Sequence, residues 1–303
     1  MAIPERQLLI WSKQGAVQSS AATHAAVRNC IEKINWNEDV SYITYLQGSY
    51  PNYTNIYGNS DVDLVVEFRS IFNKDLSALT DAQKAKFNSD STDAKYTLAV
   101  FKLAVVKQLN ECFGESNIDV GNKAILVKGN SSRLDCDVVV CNPYRKYISY
   151  SENDKSYIEG IVFTTENTHA TIINYPKVHL KNGSIKNTYE NTRENFKPAV
   201  RVLKNIKADM VRKGYIEKTL APSYFLECLV YNSDNSNFRH NSFWDVALSI
   251  IKQFENDLQN GSMSKYKVQN QQEYLFGPSD QQWGIDDAKS FVNQLIKFWN
   301  EFK

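Results

Sequence analysis

The segment 47–68, QGSYPNYTNIYGNSDVDLVVEF, ends in an apolar strand with two carboxylates, Asp61 and Asp63, at its mouth. Successive side chains of a β-strand point to opposite faces. Asp61 and Asp63 therefore share one face, while Val62 and Leu64 point into a core. A second strand-like run, RLDCDVVVC, repeats the arrangement with Asp135 and Asp137. Were the two strands neighbours, three or four carboxylates would meet on one patch. Uncompensated, such a cluster repels itself and raises its own pKa values. Two divalent cations roughly 3.5–4 Å apart resolve the repulsion, and hard carboxylate oxygens suit Mg2+, with Mn2+ as a substitute. Two such ions with a phosphate ligand are the apparatus of in-line nucleotidyl transfer. One lowers the pKa of an attacking hydroxyl and the other neutralises the leaving pyrophosphate.

Gly48-Ser49, upstream of the aspartates, fits the same scheme. Glycine lets the backbone approach a phosphate closely. The serine hydroxyl and the N–H groups that follow can bond terminal phosphate oxygens. Each feature has a plainer reading alone, since a lone Asp-x-Asp is commonly solvated or paired with lysine, and a lone Gly-Ser is commonly a turn. The combination of strand, Gly-Ser, short connection, Asp-x-Asp strand and a distant second Asp-x-Asp strand is what points to chemistry.

Periodicity predicts a helix over 16–34, a strand SYITYLQG ending at Gly48, and helical pattern from about Ala78 to Cys112. Strands KAILVKG and RLDCDVVVC follow, then further β pattern over 144–174 in RKYISY, SYIEGIVF and ATIINYP. The second half turns helical, with ENFKPAVRVLKNIKADMVRKG, APSYFLECLVYN, SFWDVALSIIKQFENDL and DDAKSFVNQLIKFWNEF. A β-rich α+β half before a helical half predicts two lobes around a cleft. The expected boundary gives a lobe over 1–176 and a helical lobe over 177–303, with the N-terminal helix able to pack on either.

The 35 basic and 34 acidic residues leave a net charge of +1, which gives no case for a bulk polyanion such as duplex DNA. Cys30, Cys112, Cys136, Cys141 and Cys228 form no CxxC pair, so the expectation is free thiols in a reducing cytosol. The four histidines show no metal-ligand spacing, so structural zinc is not expected. No apolar run reaches membrane length, and the N-terminus is too short and polar for a signal peptide. A cytoplasmic protein without a membrane span is expected.

GSYPNYTNIYGNSDVDLVV resembles the GS…DxD signature of the polymerase-β nucleotidyltransferase superfamily. SDVDLVV looks most like the cGAS/DncV-like nucleotidyltransferases (CD-NTases) of bacterial anti-phage (CBASS) systems. NGSIKNTYENTRENFKPAVRVLKNIK and APSYFLECLVYN are similar to that family's helical lobe, so the resemblance covers roughly 40–235. It implies an α+β fold, with a polymerase-β-like lobe on a mixed sheet packed against a C-terminal helical lobe across the active-site cleft. Asp61 and Asp63 match the first two metal-binding carboxylates. Asp137, leading DVVV, is preferred as the third, with Asp135 as the rival, the other of the two orienting Arg133 or a neighbouring strand.

The resemblance further implies triphosphate contacts from Lys204 and Ser223. A lysine is a point charge for phosphates, and Ser223 follows Pro222 at a helix start. Without the resemblance Lys204 reads as a solvated helix-face lysine. Arg201 and Lys207, at helical spacings from it, would extend a basic stripe. Tyr224 would stack on a nucleobase, a core tyrosine being the alternative. Gln47 would line the site, with Thr54 and Ser60 in the loop before Asp61.

The implied function is synthesis of a cyclic oligonucleotide from NTPs, ATP and/or GTP, with two Mg2+ ions and pyrophosphate release. The product would act on a separate effector protein during phage infection. No His/Cys cluster of the animal members' DNA-sensing kind is present, so a nucleic-acid activator is not indicated. A monomer is expected. The alternative is a toxin-like nucleotidyltransferase that modifies a protein or an RNA end.

Overall fold

The computed structural model describes residues 3–15, 18–36, 40–58, 61–92, 96–279 and 281–302. In chain order the elements are α1 (Glu5–Trp11), α2 (Gln18–Ile31), β1 (Tyr42–Gln47), β2 (Val62–Phe68), β3 (Asn73–Asp75), α3 (Asp81–Ser89), α4 (Leu98–Phe113), β4 (Ile118–Val120), β5 (Ile125–Val127) and β6 (Cys136–Tyr147). There follow β7 (Tyr157–Thr164), β8 (Thr171–Asn174), α5 (Pro176–Lys186), α6 (Tyr189–Thr192), α7 (Phe196–Arg212), α8 (Ser223–Tyr231), α9 (Phe243–Gln259) and α10 (Ile285–Glu301). The fold is α+β, with a mixed sheet and a helical C-terminal part. Two compact units form. One comprises Val17–Tyr50 and Asp61–Val178, the other Met1–Ala16, Pro51–Ser60 and His179–Lys303.

The first unit is built on the sheet. Its central order is β1-β2-β6-β5-β4, and β2 runs parallel to β6 while β1–β2, β5–β6 and β4–β5 pair antiparallel. β6 is long enough to serve two halves. Beyond Cys141, its last partner with β2, it pairs with β3 and β7, and β8 completes that half. RLDCDVVVC and RKYISY, separate in the sequence reading, thus run into one strand through Pro143.

Alternation decides what each face buries. Val62, Leu64, Val66, Val138 and Val140 point to the rear, where Val27 and Ile31 of α2 and Phe101, Val105 and Leu109 of α4 cover them. Phe101 stacks on Phe68 at 4.6 Å and on Trp36 at 4.7 Å between ring centres. Thr97 caps α4 by accepting the Val100 N–H at 3.3 Å, and the helix stops at Gly114, whose φ is 86°. The opposite face carries a smaller apolar group of Val65, Val139, Cys141, Ile161, Phe163 and Ile172.

The second unit is a helical bundle. α7 is amphipathic and buries Phe196, Ala199, Val200, Leu203, Ile206 and Met210, mostly at i+3 and i+4 spacing. They join one core with residues of α1, α8, α9 and α10. No helix among the described residues is long and apolar enough to cross a membrane.

One expectation is corrected. Cys30 and Cys112 form a disulfide with their Cα atoms 6.1 Å apart, and Cys136, Cys141 and Cys228 are the free cysteines. α2 and α4 lie side by side on the rear of the sheet, so their facing cysteines meet despite a sequence separation of 82. Spacing along the chain could not show this. Thiol titration of the denatured, unreduced protein is expected to count three groups rather than five. Replacing both cysteines by serine is expected to lower unfolding stability by about 2–4 kcal/mol in urea titrations.

Candidate active site

The sheet unit brings the sequence-predicted aspartates together through strand register. Gln47 of β1 is the antiparallel partner of Asp63, and Asp63 is the parallel partner of Asp137 on β6. Gln47, Asp63 and Asp137 therefore form one row across three strands, with neighbours about 4.8 Å apart along the hydrogen-bonding direction. The next row on that face is Tyr45, Val65 and Val139. Asp61 lies just before β2, exposed, with the fully buried Val62 between it and Asp63. The Val62 N–H donates to the Asp135 carbonyl at 3.0 Å, extending the parallel ladder to the carboxylates.

The turn after β1 lies directly on Asp63. Gly48 has a φ of +73°, and a Cβ built there would stand 2.0 Å from Asp63 Oδ2. Only glycine satisfies both the left-handed backbone and the close approach. Ser49 follows in that turn, half-buried. Behind it Tyr50 is buried, and burial followed by the Asp61 charge pushes its hydroxyl pKa up.

Burial and like charge meet at Asp137. Burial, then the charges of Asp61 and Asp135, hold the Asp137 carboxyl above its ordinary pKa. Asp135 is exposed, and its Oδ1 accepts the Gly129 N–H at 2.6 Å. Arg133 turns elsewhere, donating to the Lys128 carbonyl at 2.7 Å and lying over the Phe113 ring. Among the described residues no three His, Cys, Asp or Glu side chains stand as a ready metal cage. The donors that Asp61, Asp63 and Asp137 offer are hard carboxylate oxygens, the ligand class Mg2+ takes in shells it completes with phosphate and water.

The helical unit holds the other predicted residues. Ser223 opens α8 and is exposed, with Pro222 before it and no side-chain cap on the first turn. Tyr224 is 44% exposed. Lys204 is only 5% exposed, and its Nζ donates to the Thr54 carbonyl (3.2 Å), Thr54 Oγ1 (3.3 Å) and Glu227 Oε2 (3.2 Å). The expected basic stripe does not form. Arg201 donates to the carbonyls of Ser12 and Tyr53, and Lys207 to that of Lys218 at 2.7 Å. Ser60 lies outside the described residues.

Two residues of this cluster escaped the sequence reading. Glu227 Oε2 accepts the Thr54 hydroxyl at 2.8 Å, and Oε1 meets His179 Nε2 at 3.0 Å. Burial alone would push the Glu227 pKa up, but the Lys204 charge, His179 and Thr54 overcome it and hold it at about 2. A lone glutamate inside FLECLV was the available signal, since a charge in an apolar helix must find a buried partner. The folded-state pKa is depressed, so the stabilisation is present above the ordinary 4.5 and is lost as pH falls toward 2. Acid unfolding followed by tryptophan fluorescence is expected to show a loss on the order of 3 kcal/mol across that interval, flattened in Glu227→Gln.

Residues 181–300 match the cGAS/DncV-like nucleotidyltransferase C-terminal helical domain. Over 299 residues the chain is 38% identical to the cyclic UMP-AMP synthase of Rhodothermus marinus, covering 99% of this chain and 98% of that one. It is 36% identical to the cyclic nucleotide synthase CdnE01 of Staphylococcus haemolyticus, covering 100% of both. The solved R. marinus CdnE c-UMP-AMP synthase with Apcpp and Upnpp superposes with a TM-score of 0.86, covering 99% of this chain and 97% of that one at 38% identity. With the aspartate row and the helical unit in place, these matches make the chain a nucleotidyltransferase that belongs to the cGAS/DncV-like (CD-NTase) family.

Proposed function

We propose that this enzyme joins NTPs into a cyclic oligonucleotide with release of pyrophosphate, as a second messenger in anti-phage defence that acts on a separate effector protein. The observation that carries this reading is the row in which Asp63 and Asp137 stand in register, with Gly48 packed on Asp63. Asp61, Asp63 and Asp137 would hold two Mg2+ ions, which when bound supply a lowered pKa at the attacking hydroxyl and charge neutralisation at the leaving pyrophosphate.

The chain's own groups orient the reactants. The Gly48 turn presents backbone N–H groups and the Ser49 hydroxyl to terminal phosphates, without side-chain bulk between phosphate and Asp63. Gln47 lines the same row. On the helical unit Ser223 offers the open N–H groups of the first turn of α8. Lys204 would exchange a Thr54 contact for a phosphate oxygen, and the exposed ring of Tyr224 would stack on a base. The R. marinus relative is a cyclic UMP-AMP synthase and other relatives are dipurine or dipyrimidine synthases, so base choice varies in the family. ATP, with GTP or UTP beside it, is the substrate reading.

Purified protein incubated with each pair of labelled NTPs and Mg2+ or Mn2+ is expected to leave a phosphatase-resistant cyclic product, identified by mass spectrometry. Label fixed to protein or RNA, with no small cyclic product, would overturn the reading. Asp61→Asn combined with Asp63→Asn is expected to lower the rate at least about a hundredfold, and Asp137→Asn similarly. Asp135→Asn, whose carboxylate serves the Gly129 turn, is expected to stay within about threefold of wild type. Gly48→Ala forces a Cβ into Asp63 at positive φ, and is expected to cost about 1–2 kcal/mol of stability and at least tenfold in rate.

A further inference from the structure

The helical unit contains a buried ionic cluster that stability alone does not call for. Glu227, Lys204, His179 and Thr54 are 4%, 5%, 7% and 1% exposed. Replacing buried ion pairs by well-packed apolar residues is often neutral or stabilising, so burying this set makes more sense as a way of fixing geometry. Glu227 is its centre. One carboxylate oxygen takes both Lys204 Nζ and the Thr54 hydroxyl, and the other takes His179.

His179 carries the effect outward. With Nε2–H donated to Glu227, the ring's remaining nitrogen, Nδ1, is buried without a hydrogen-bond partner. Glu227 is therefore the one hydrogen-bonding anchor of this imidazole among the described residues. The ring in turn stacks on Tyr224, with centres 5.5 Å apart and planes at 26°. Tyr224 stands at the exposed end of this chain of contacts, and Lys204 at the charged end.

We propose that Glu227 is a positioning residue for nucleotide binding, fixing the Lys204 amine directly and the Tyr224 ring through His179. The proposal rests on the reading that Lys204 meets phosphates and Tyr224 a base. Through Thr54 the same carboxylate also holds the segment over 51–58. A positioning group of this kind acts on ground-state and transition-state binding alike, so its loss raises KM more than it lowers kcat.

The test measures KM, kcat and the Kd of a non-hydrolysable ATP analogue for Glu227→Gln and His179→Phe, with the unfolding midpoint of each. Glu227→Gln keeps the shape but loses the charge, and is expected to raise KM and Kd about tenfold with kcat within about threefold. His179→Phe keeps a ring against Tyr224 and leaves the Lys204–Glu227–Thr54 contacts intact. It is expected to raise KM several-fold, and it carries the test should Glu227→Gln fail to fold. Folded variants with wild-type KM and Kd, or with a fallen kcat at unchanged KM, would overturn the proposal. Lys204→Met and Tyr224→Leu separate the two levels. Wild-type affinity in both removes the nucleotide from these residues, whereas lost affinity there with none lost in Glu227→Gln removes only the positioning role.

Discussion

Parallel pairing of β2 with β6 is the constraint on which the site depends. It sets Asp63 beside Asp137, an arrangement that free side chains would avoid, since like charges repel. The backbone ladder enforces it, and the apolar rear of the same strands enforces the ladder. Leu64, Val66, Val138 and Val140 are buried against α2 and α4, so a slip by one residue would carry them to the opposite face and the aspartates into the core. The hydrophobic effect on one side of the sheet thus maintains an electrostatic conflict on the other.

The helical unit handles buried charge in the opposite way. Glu227 is given a lysine, a histidine and a hydroxyl, and its pKa falls to about 2. Asp137 is partly buried and has carboxylate neighbours, and its pKa rises. The contrast marks the two groups chemically. A carboxylate satisfied by its own protein has little left to offer a ligand, while one surrounded by like charge gains by meeting a cation. Asp135 accepts the Gly129 N–H, while Asp137 shares the row with Asp63.

Much of this was legible in the chain because it is periodic. Alternation put Asp61 and Asp63 on one face and Val62 and Leu64 on the other, and α2, α4, α7 and α10 appear where helical spacing placed them. What failed to show was non-local or too short to have a period. β3 and β4 are three residues each and take their strand character from β6 and β5. The Cys30–Cys112 bond needs two helices to be adjacent. Lys204 sits on α7 at a position that reads as solvated, and only the partners from α8 and Thr54 reveal why it is buried. Glu227 lay within a stretch used for the resemblance, but its chemistry depends on His179, which enters from another helix.

The rear helices also support the site. α2 does more than cover Leu64 and Val66. Its Thr23 hydroxyl accepts the Leu134 N–H at 3.0 Å, just before the Asp135–Asp137 run, and its Ser20 hydrogen-bonds the Tyr50 side chain beside the Gly48-Ser49 turn. One helix thus holds from behind both turns that frame the aspartate row. Its far end is tied to α4 through Cys30 and Cys112. Catalytic geometry tolerates displacements of well under an ångström, so a site made of two turns needs a common support more than it needs further contacts at its face. In this unit that support is α2, fixed at one end by hydrogen bonds to the turns and at the other by a covalent bond.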